Sequence, residues 1–292
     1  MGFLQVDKLV KSYGNKKVLD EFSMEIHGGE IVGLIGRNGA GKTTLLNCIA
    51  GNIFPDSGVI SFEHDNLLKK GDVRKDFGIL IQGTFLEYLN TYDNLKLLQN
   101  AVGIWDKKLI RERSDELLKM VGLENKGNTY VKSFSFGMKQ RLGFAQALLN
   151  GNKFIILDEP FVGLDMNGRE MVKEHLKKIV KEKQIGVLFS DHNLDEVRSL
   201  CDRVIVIKSG KKIYDEILSE EKQYEIYVEK LNQELVQSLS NILEVHMDRQ
   251  QNRIKFENSK NIHKIMEIIV SNTNIVDMKV YEDKLENMMR GE

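Results

Sequence analysis

The chain has little cysteine, proline or tryptophan: two, two and one in 292 residues. Cys48 and Cys201 lie far apart and in no metal-ligand spacing, so neither a disulfide framework nor a cysteine metal site is indicated. A charge of one sign is lacking too. Forty-two basic and forty-three acidic residues leave a formal charge of −1, without the basic excess that marks a nucleic-acid partner. Short lysine pairs such as Lys16-Lys17 and Lys211-Lys212 read as solvated turns or helix faces. No stretch approaches the ~18 apolar residues that a spanning helix needs. The apolar runs Phe154–Leu157 and Val204–Ile207 are strand-length. Met1-Gly2-Phe3-Leu4-Gln5-Val6-Asp7 meets a charge before an apolar segment develops, so no signal peptide is expected. Val6 also stands where a myristoylation motif needs Ser or Thr. The expectation is a cytoplasmic protein; for work at a membrane, another chain would supply the span.

What is present fits a globular protein, with 41% hydrophobic and 29% charged residues. The length predicts one large and one small domain, placed at 1–218 and 219–292. Leu4–Lys11 and Lys17–Ile26 alternate apolar and polar residues, as antiparallel strands do. Phe77–Gln82 and Phe154–Leu157 read as buried strands, the latter parallel. Asn90–Val121 is long, charged and helically periodic. Ser135–Leu149 reads as a helix that Ser135 caps. Gly168–Lys183 is helical, and Gly186–Ser190 and Arg203–Lys208 are strands. This order predicts an α/β core. From Tyr224 to Tyr281 the pattern becomes β-α-β-β-α-β, a ferredoxin-like order.

The most informative stretch follows the apolar run Ile31–Ile35. Gly36-Arg37-Asn38-Gly39-Ala40-Gly41-Lys42-Thr43-Thr44 matches the P-loop pattern G-x-x-x-x-G-K-[ST], between a strand and a helix. Glycines let consecutive N–H groups turn inward on a phosphate, and the helix start adds its own free N–H groups and dipole. Lys42 brings a full charge toward the outer phosphates, and the Thr43 hydroxyl is placed for Mg²⁺. Phe154-Ile155-Ile156-Leu157 ends in Asp158-Glu159, at the strand edge where α/β sheets bind ligands. Asp158 is there to hold Mg²⁺, and Glu159 to polarise a water. Gln82 and His192 each end a further strand. Gln82 could reach metal and water, while a lone histidine is as readily a structural hydrogen-bonder. Tyr13 could stack on a base or lie as a half-buried turn residue.

Taken in order, these positions resemble the ATP-binding subunits of ABC transporters over residues 1 to about 215. Tyr13 matches the adenine-stacking aromatic, Gly36–Thr44 Walker A, and Gln82 the Q-loop glutamine. Ser135-Phe136-Gly137-Met138 stands at the signature, Asp158-Glu159 at Walker B, Asp165 in the D-loop, and His192 at the switch histidine. The resemblance implies a P-loop ATPase fold: a mixed sheet core, an antiparallel β subdomain and a helical signature subdomain. It also implies ATP and Mg²⁺ as ligands, and a head-to-tail pair of subunits. In that pair Ser135, Phe136, Gly137, Met138 and Asp165 contact the nucleotide of the other copy. A multi-span membrane permease is the further partner, with no nucleic acid. Phe136 replaces a small residue and Met138 a glutamine of the common signature. This variant, with Leu285-Glu286-Asn287-Met288-Met289 near the end, is similar to bacitracin-resistance, lantibiotic-immunity and related peptide exporters. An importer ATPase, or an ABC protein acting on ribosomes or DNA, is the alternative. Phe85, Leu86, Tyr88, Leu89 and Tyr92 are candidates for docking the permease or are ordinary core. His246 and His263 read as surface residues.

Overall fold

A computed structural model describes residues 2–81, 83, 85–218, 223–240, 242, 245–257 and 262–281. The chain divides into two compact units, Met1–Leu218 and Ser219–Glu292.

The first unit opens with the hairpin β1 (Phe3–Tyr13) and β2 (Lys16–His27), then β3 (Ile31–Ile35) and α1 (Lys42–Ala50). Next come β4 (Ser57–Phe62), β5 (Asp65–Asn66) and β6 (Phe77–Leu80). The helices α2 (Thr91–Ala101), α3 (Lys107–Met120) and α4 (Phe136–Asn150) follow. The unit closes with β7 (Phe154–Asp158), α5 (Met166–Lys183), β8 (Gly186–Asp191), α6 (Leu194–Leu200), β9 (Arg203–Lys208) and β10 (Lys211–Ile217). One sheet is antiparallel, in the order β2-β1-β4-β5; the other runs β10-β9-β3-β8-β7-β6. In the second sheet only the edge strand β10 is antiparallel. The α/β class and mixed sheet expected from the sequence are therefore present.

Both sheets feed one apolar core. Phe62 of β4 meets Phe77 of β6 edge-on at 5.0 Å and Phe154 of β7 at 6.2 Å. Such edge-to-face pairs add to the burial of the rings themselves. The strands β3, β7 and β8 are almost wholly buried, which explains their unbroken apolar runs. Their C-terminal ends align: Ile35 lies opposite Asp191, and Asp158 opposite Ser190.

The periodic stretch Asn90–Val121 is two helices, not one. Gly103 takes a left-handed φ of 88°, and Asp106 then caps α3 by accepting from the N–H groups of Lys108 and Leu109. A cap and a left-handed glycine end one helix and begin another whatever the periodicity says. The strand from Phe77 stops at Leu80, and Gln82 lies outside the described residues. Neither α6 nor β10 was predicted from the sequence.

The second unit holds β11 (Gln223–Val228), α7 (Gln233–Ser240), β12 (Val245–Asp248), β13 (Arg253–Glu257), α8 (Ile262–Asn272) and β14 (Ile275–Tyr281). Its sheet runs β12-β13-β11-β14, all antiparallel. Leu235 and Leu239 of α7 and Ile265 and Ile269 of α8 pack with Ile226, Ile254 and Phe256 of the sheet. That is the ferredoxin-like order expected. Leu285–Met289 lies outside the described residues.

Candidate functional site

The loop between β3 and α1 folds back on itself through two constraints. Gly41 has φ 115°, and a Cβ there would fall 2.8 Å from the Val18 carbonyl; only glycine fits. Lys42 begins α1 and its Nζ donates to the Gly36 carbonyl at 2.6 Å. No side chain caps this helix, and its first turn carries no acid, so its first N–H groups are left for an anion. Lys42 is only 6% exposed. Burial pushes its pKa down, while the carboxylates of Glu159, Asp158 and Asp191 pull it back part of the way. The ammonium is thus buried with three carboxylates around it and the Gly36 carbonyl as its acceptor. Arg37, Asn38 and Gly39 are exposed at the loop tip; Gly36, Ala40 and Gly41 are buried, and Thr43 and Thr44 half-buried.

The strand ends β7 and β8 supply the acids. The Ser190 hydroxyl donates to Asp158 Oδ1. Glu159 follows in the left-handed region, φ 48°, a conformation that costs a non-glycine residue energy and concentrates at functional sites. Its N–H is held by the Ser190 carbonyl at 3.1 Å and Oγ at 3.2 Å. Its carbonyl accepts from Gln140 Nε2 of α4 at 3.1 Å. These bonds aim the Glu159 side chain at His192, whose Nδ1 lies 3.4 Å from Oε1. His192 is itself set by Asp191, a buried acid whose Oδ1 accepts the N–H groups of His192 and Asn193 at 2.7 and 2.8 Å. Burial raises the Asp191 pKa.

The signature residues stand at the start of α4. The Ser135 hydroxyl accepts from the Met138 N–H at 3.3 Å, as the predicted cap. Ser135 and Phe136 are exposed, Gly137 and Met138 half-buried. Phe136 is 62% exposed, yet one edge of its ring lies on Gly163, where an added Cβ would come within 2.2 Å of Cδ1. Asp165 caps α5 by accepting from the Gly168 N–H at 2.9 Å, and Arg141 Nη2 pairs with the same Oδ1 at 2.8 Å. That hydrogen bond and the Arg141 charge hold the Asp165 carboxyl below its ordinary pKa.

The structure thus brings Lys42, Asp158, Glu159 and His192 together. Among the described hydrogen bonds and ion pairs, none joins Tyr13 or Ser135–Met138 to Gly36–Thr44. Tyr13 is half exposed at the end of β1, with Lys11 Nζ 5.6 Å from its ring centroid. Tyr92 is pinned: its hydroxyl donates to Asp115, and the Arg111 guanidinium lies 3.7 Å over its ring. Leu86 and Tyr88 are exposed. Sequence reasoning missed the contacts that hold the site: Ser190, Asp191, Gln140, Arg141, and a seam between α5 and α6. There Arg169 Nε donates to the Leu164 carbonyl at 3.2 Å while its Nη1 pairs with buried Glu196 Oε1 at 2.7 Å. Lys173 Nζ lies 2.7 Å from the other Glu196 oxygen.

Comparison with known proteins points the same way. A family model described as "ABC transporter" matches residues 19–162. An uncharacterized ABC transporter ATP-binding protein of Bacillus subtilis (strain 168), YdbJ, is 41% identical over 212 residues, 71% of this chain and 67% of that protein. The bacitracin transport ATP-binding protein BcrA of Bacillus licheniformis is 35% identical over 76% of this chain and 73% of its own. The methionine import ATP-binding protein MetN of Clostridium tetani (strain Massachusetts / E88) is 36% identical over 72% and 67%. Among solved structures, a dimeric ATP-binding cassette, MJ0796, in a post-hydrolysis state bound to ADP and Pi superposes with a TM-score of 0.70. It is 27% identical and covers 74% of this chain and 99% of that one.

Proposed function

The chain belongs to the ATP-binding subunits of ABC transporters, and we propose that it drives an exporter of peptides or antimicrobial compounds through a separate membrane subunit. The observation that carries the ATPase step is the convergence of Lys42, Asp158, Glu159 and His192 at the ends of β3, β7 and β8. The backbone of Gly36–Thr44 cradles the phosphates, and Lys42 exchanges its Gly36 carbonyl for the outer ones. Glu159 polarises the attacking water, with His192 beside it to hold the γ-phosphate. Tyr13 offers its open face to the adenine. Gln82 serves metal and water.

Thr43 and Asp158 are hard oxygen donors and suit Mg²⁺. Among the described residues no group of three or more His, Cys, Asp or Glu forms a metal cage. When bound, the ion neutralises charge on the transferring phosphate. The exposed Ser135, Phe136 and Asp165, with half-buried Gly137 and Met138, serve the nucleotide of a second copy, arranged head to tail. The dimeric MJ0796 cassette supports that reading. No helix of the described residues is long and apolar enough to cross a membrane, so a permease supplies the path, docked near exposed Leu86 and Tyr88, on the cytoplasmic face.

Export is favoured by Phe136 and Met138 in the signature and by likeness to BcrA; likeness to MetN favours import. The deciding experiment is reconstitution with the membrane subunit that co-purifies in detergent. ATP-dependent movement of bacitracin out of the compartment that holds the ATPase is expected. Inward movement of a small solute, or ribosomal RNA in place of a membrane subunit, overturns the exporter.

A further inference from the structure

The strand that carries Tyr13 outruns its partner. The ladder of β1 with β4 ends where Val10 faces Ser57, while β1 continues to Tyr13. Pro55 stands just ahead of β4 and has no N–H to lengthen the ladder. Asp56 takes its place. The Asp56 N–H donates to the Val10 carbonyl at 2.8 Å, and its Oδ2 accepts the Ser12 N–H at 2.7 Å. Oδ1 accepts from Lys11 Nζ at 3.1 Å. One residue thus grips Val10, Lys11 and Ser12. On the other side of Tyr13 the hairpin turns at once through Gly14-Asn15, with Tyr13 opposite Lys16. The ring is set between a grip and a turn.

Lys11 carries the grip to the ring. Its Nζ lies 5.6 Å from the Tyr13 ring centroid, within the ~6 Å over which an aromatic face attracts a cation. Asp56 and the ring therefore share one ammonium. Lys11 and the Ser12 N–H hold the Asp56 carboxyl below its ordinary pKa, so the pair is charged at neutral pH. As stability it counts for little, because an ion pair open to water contributes little and the Asp56 side chain is 44% exposed. Its effect is on orientation. Tyr13 keeps about half its surface free, and a ring already oriented loses less entropy when a ligand stacks on it. Asp56 is also tied to the phosphate end. α1 stops at Gly51, φ 84°, and the N–H groups of Asn52 and Ile53 return to the Asn47 carbonyl. A short, bonded segment thus joins the helix that opens at Lys42 to the strand that ends at Tyr13.

We propose that Asp56, acting through Lys11, is a positioning residue for the nucleotide base: it holds the Tyr13 ring in place relative to Gly36–Thr44. The proposal deepens the reading of Tyr13 as the base-stacking aromatic and rests on it. The ligand it serves is the nucleoside end of ATP. A triphosphate without a base gains nothing from it.

The test is calorimetric binding of ATP, and of inorganic tripolyphosphate, to the full chain. Tyr13→Ala should weaken ATP ~10-fold, as the loss of one base–aromatic stack does. Asp56→Ala should weaken ATP ~5-fold through lost preorganisation, and Lys11→Met ~3-fold through the lost cation. All three should bind tripolyphosphate as the parent chain does, whereas a misfolded variant would lose both ligands. In the Tyr13→Ala background, Asp56→Ala should weaken ATP no further, because it acts only through the ring. Unchanged ATP binding by Tyr13→Ala removes the stacking reading and this proposal with it. Weakened binding by Tyr13→Ala beside an unchanged Asp56→Ala, additive losses in the double variant, or a matching loss of tripolyphosphate in Asp56→Ala overturns the positioning role alone.

Discussion

The two halves of the proposed ATP site are built differently. At the Walker half, Lys42 and Asp191 are buried and every acid is tied to a neighbour. At the signature half, Ser135, Phe136 and Asp165 face outward and bond only within their own segment or to α4. The first half is preorganised, which is where electrostatic catalysis gets its strength. The second presents a helix N-terminus to solvent, where the proposed pairing would bring an anion from a second copy. Gln140 connects them by holding the Glu159 carbonyl, while Arg141 ties Asp165 to α4 within the second half.

Breaking each half separately should give opposite failures. Glu159→Gln removes the proposed base and leaves the cradle; turnover should fall at least ~100-fold while ATP still binds and traps the dimer. Ser135→Arg removes a helix cap and puts a long side chain on the exposed half. ATP binding to the same chain should persist, and ATP-driven dimerisation and hydrolysis should both be lost. Stopped turnover read by phosphate release, with dimerisation by light scattering, separates the two. Near-normal hydrolysis by Glu159→Gln, or ATP-driven dimers of Ser135→Arg, would erase the distinction.

How much of this was legible in the sequence follows from distance along the chain. Gly36–Thr44 and Asp158-Glu159 are contiguous, and each carries its own strand or helix signal, so their positions could be read and their roles proposed together. The residues that hold them are remote. Ser190 reaches Asp158 and Glu159 because β8 lies beside β7, an order that nothing local encodes. Gly103 hid inside a helical period, since periodicity reports a face and not a break. The edge strand β10 lacks buried residues and so gives no apolar run.

The seam between α5 and α6 sharpens the comparison, because it links the D-loop carbonyl of Leu164 to the helix that follows His192. Burial alone would raise the Glu196 pKa, but Lys173 and Arg169 overcome it and hold the carboxyl below its ordinary value. A carboxylate depressed in the folded state stabilises above its unfolded pKa, and that stabilisation is lost as pH falls through the folded value. Glu196→Gln should cost about 2 kcal/mol at neutral pH and flatten this acid limb in chemical denaturation. If the seam positions His192, kcat should fall with KM little changed, and Glu196→Asp should recover part of it. Equal loss in both constants would make the seam a matter of stability alone.

The smallest effect concerns Phe136, where the open half departs from the common signature. Its ring rests one edge on Gly163 and leaves the rest in solvent, on the face that a second copy would cover. Closure then buries apolar surface, and at about 25 cal/mol per Å² covering ~40 Å² of the exposed ring contributes roughly 1 kcal/mol. Phe136→Ser keeps the Ser135 cap and should weaken ATP-driven dimerisation ~5-fold, measured by ATP titration of the Glu159→Gln background. Tighter dimerisation would reverse the sign: the ring would be an obstruction, and the open half would be held short of closure by its own side chain.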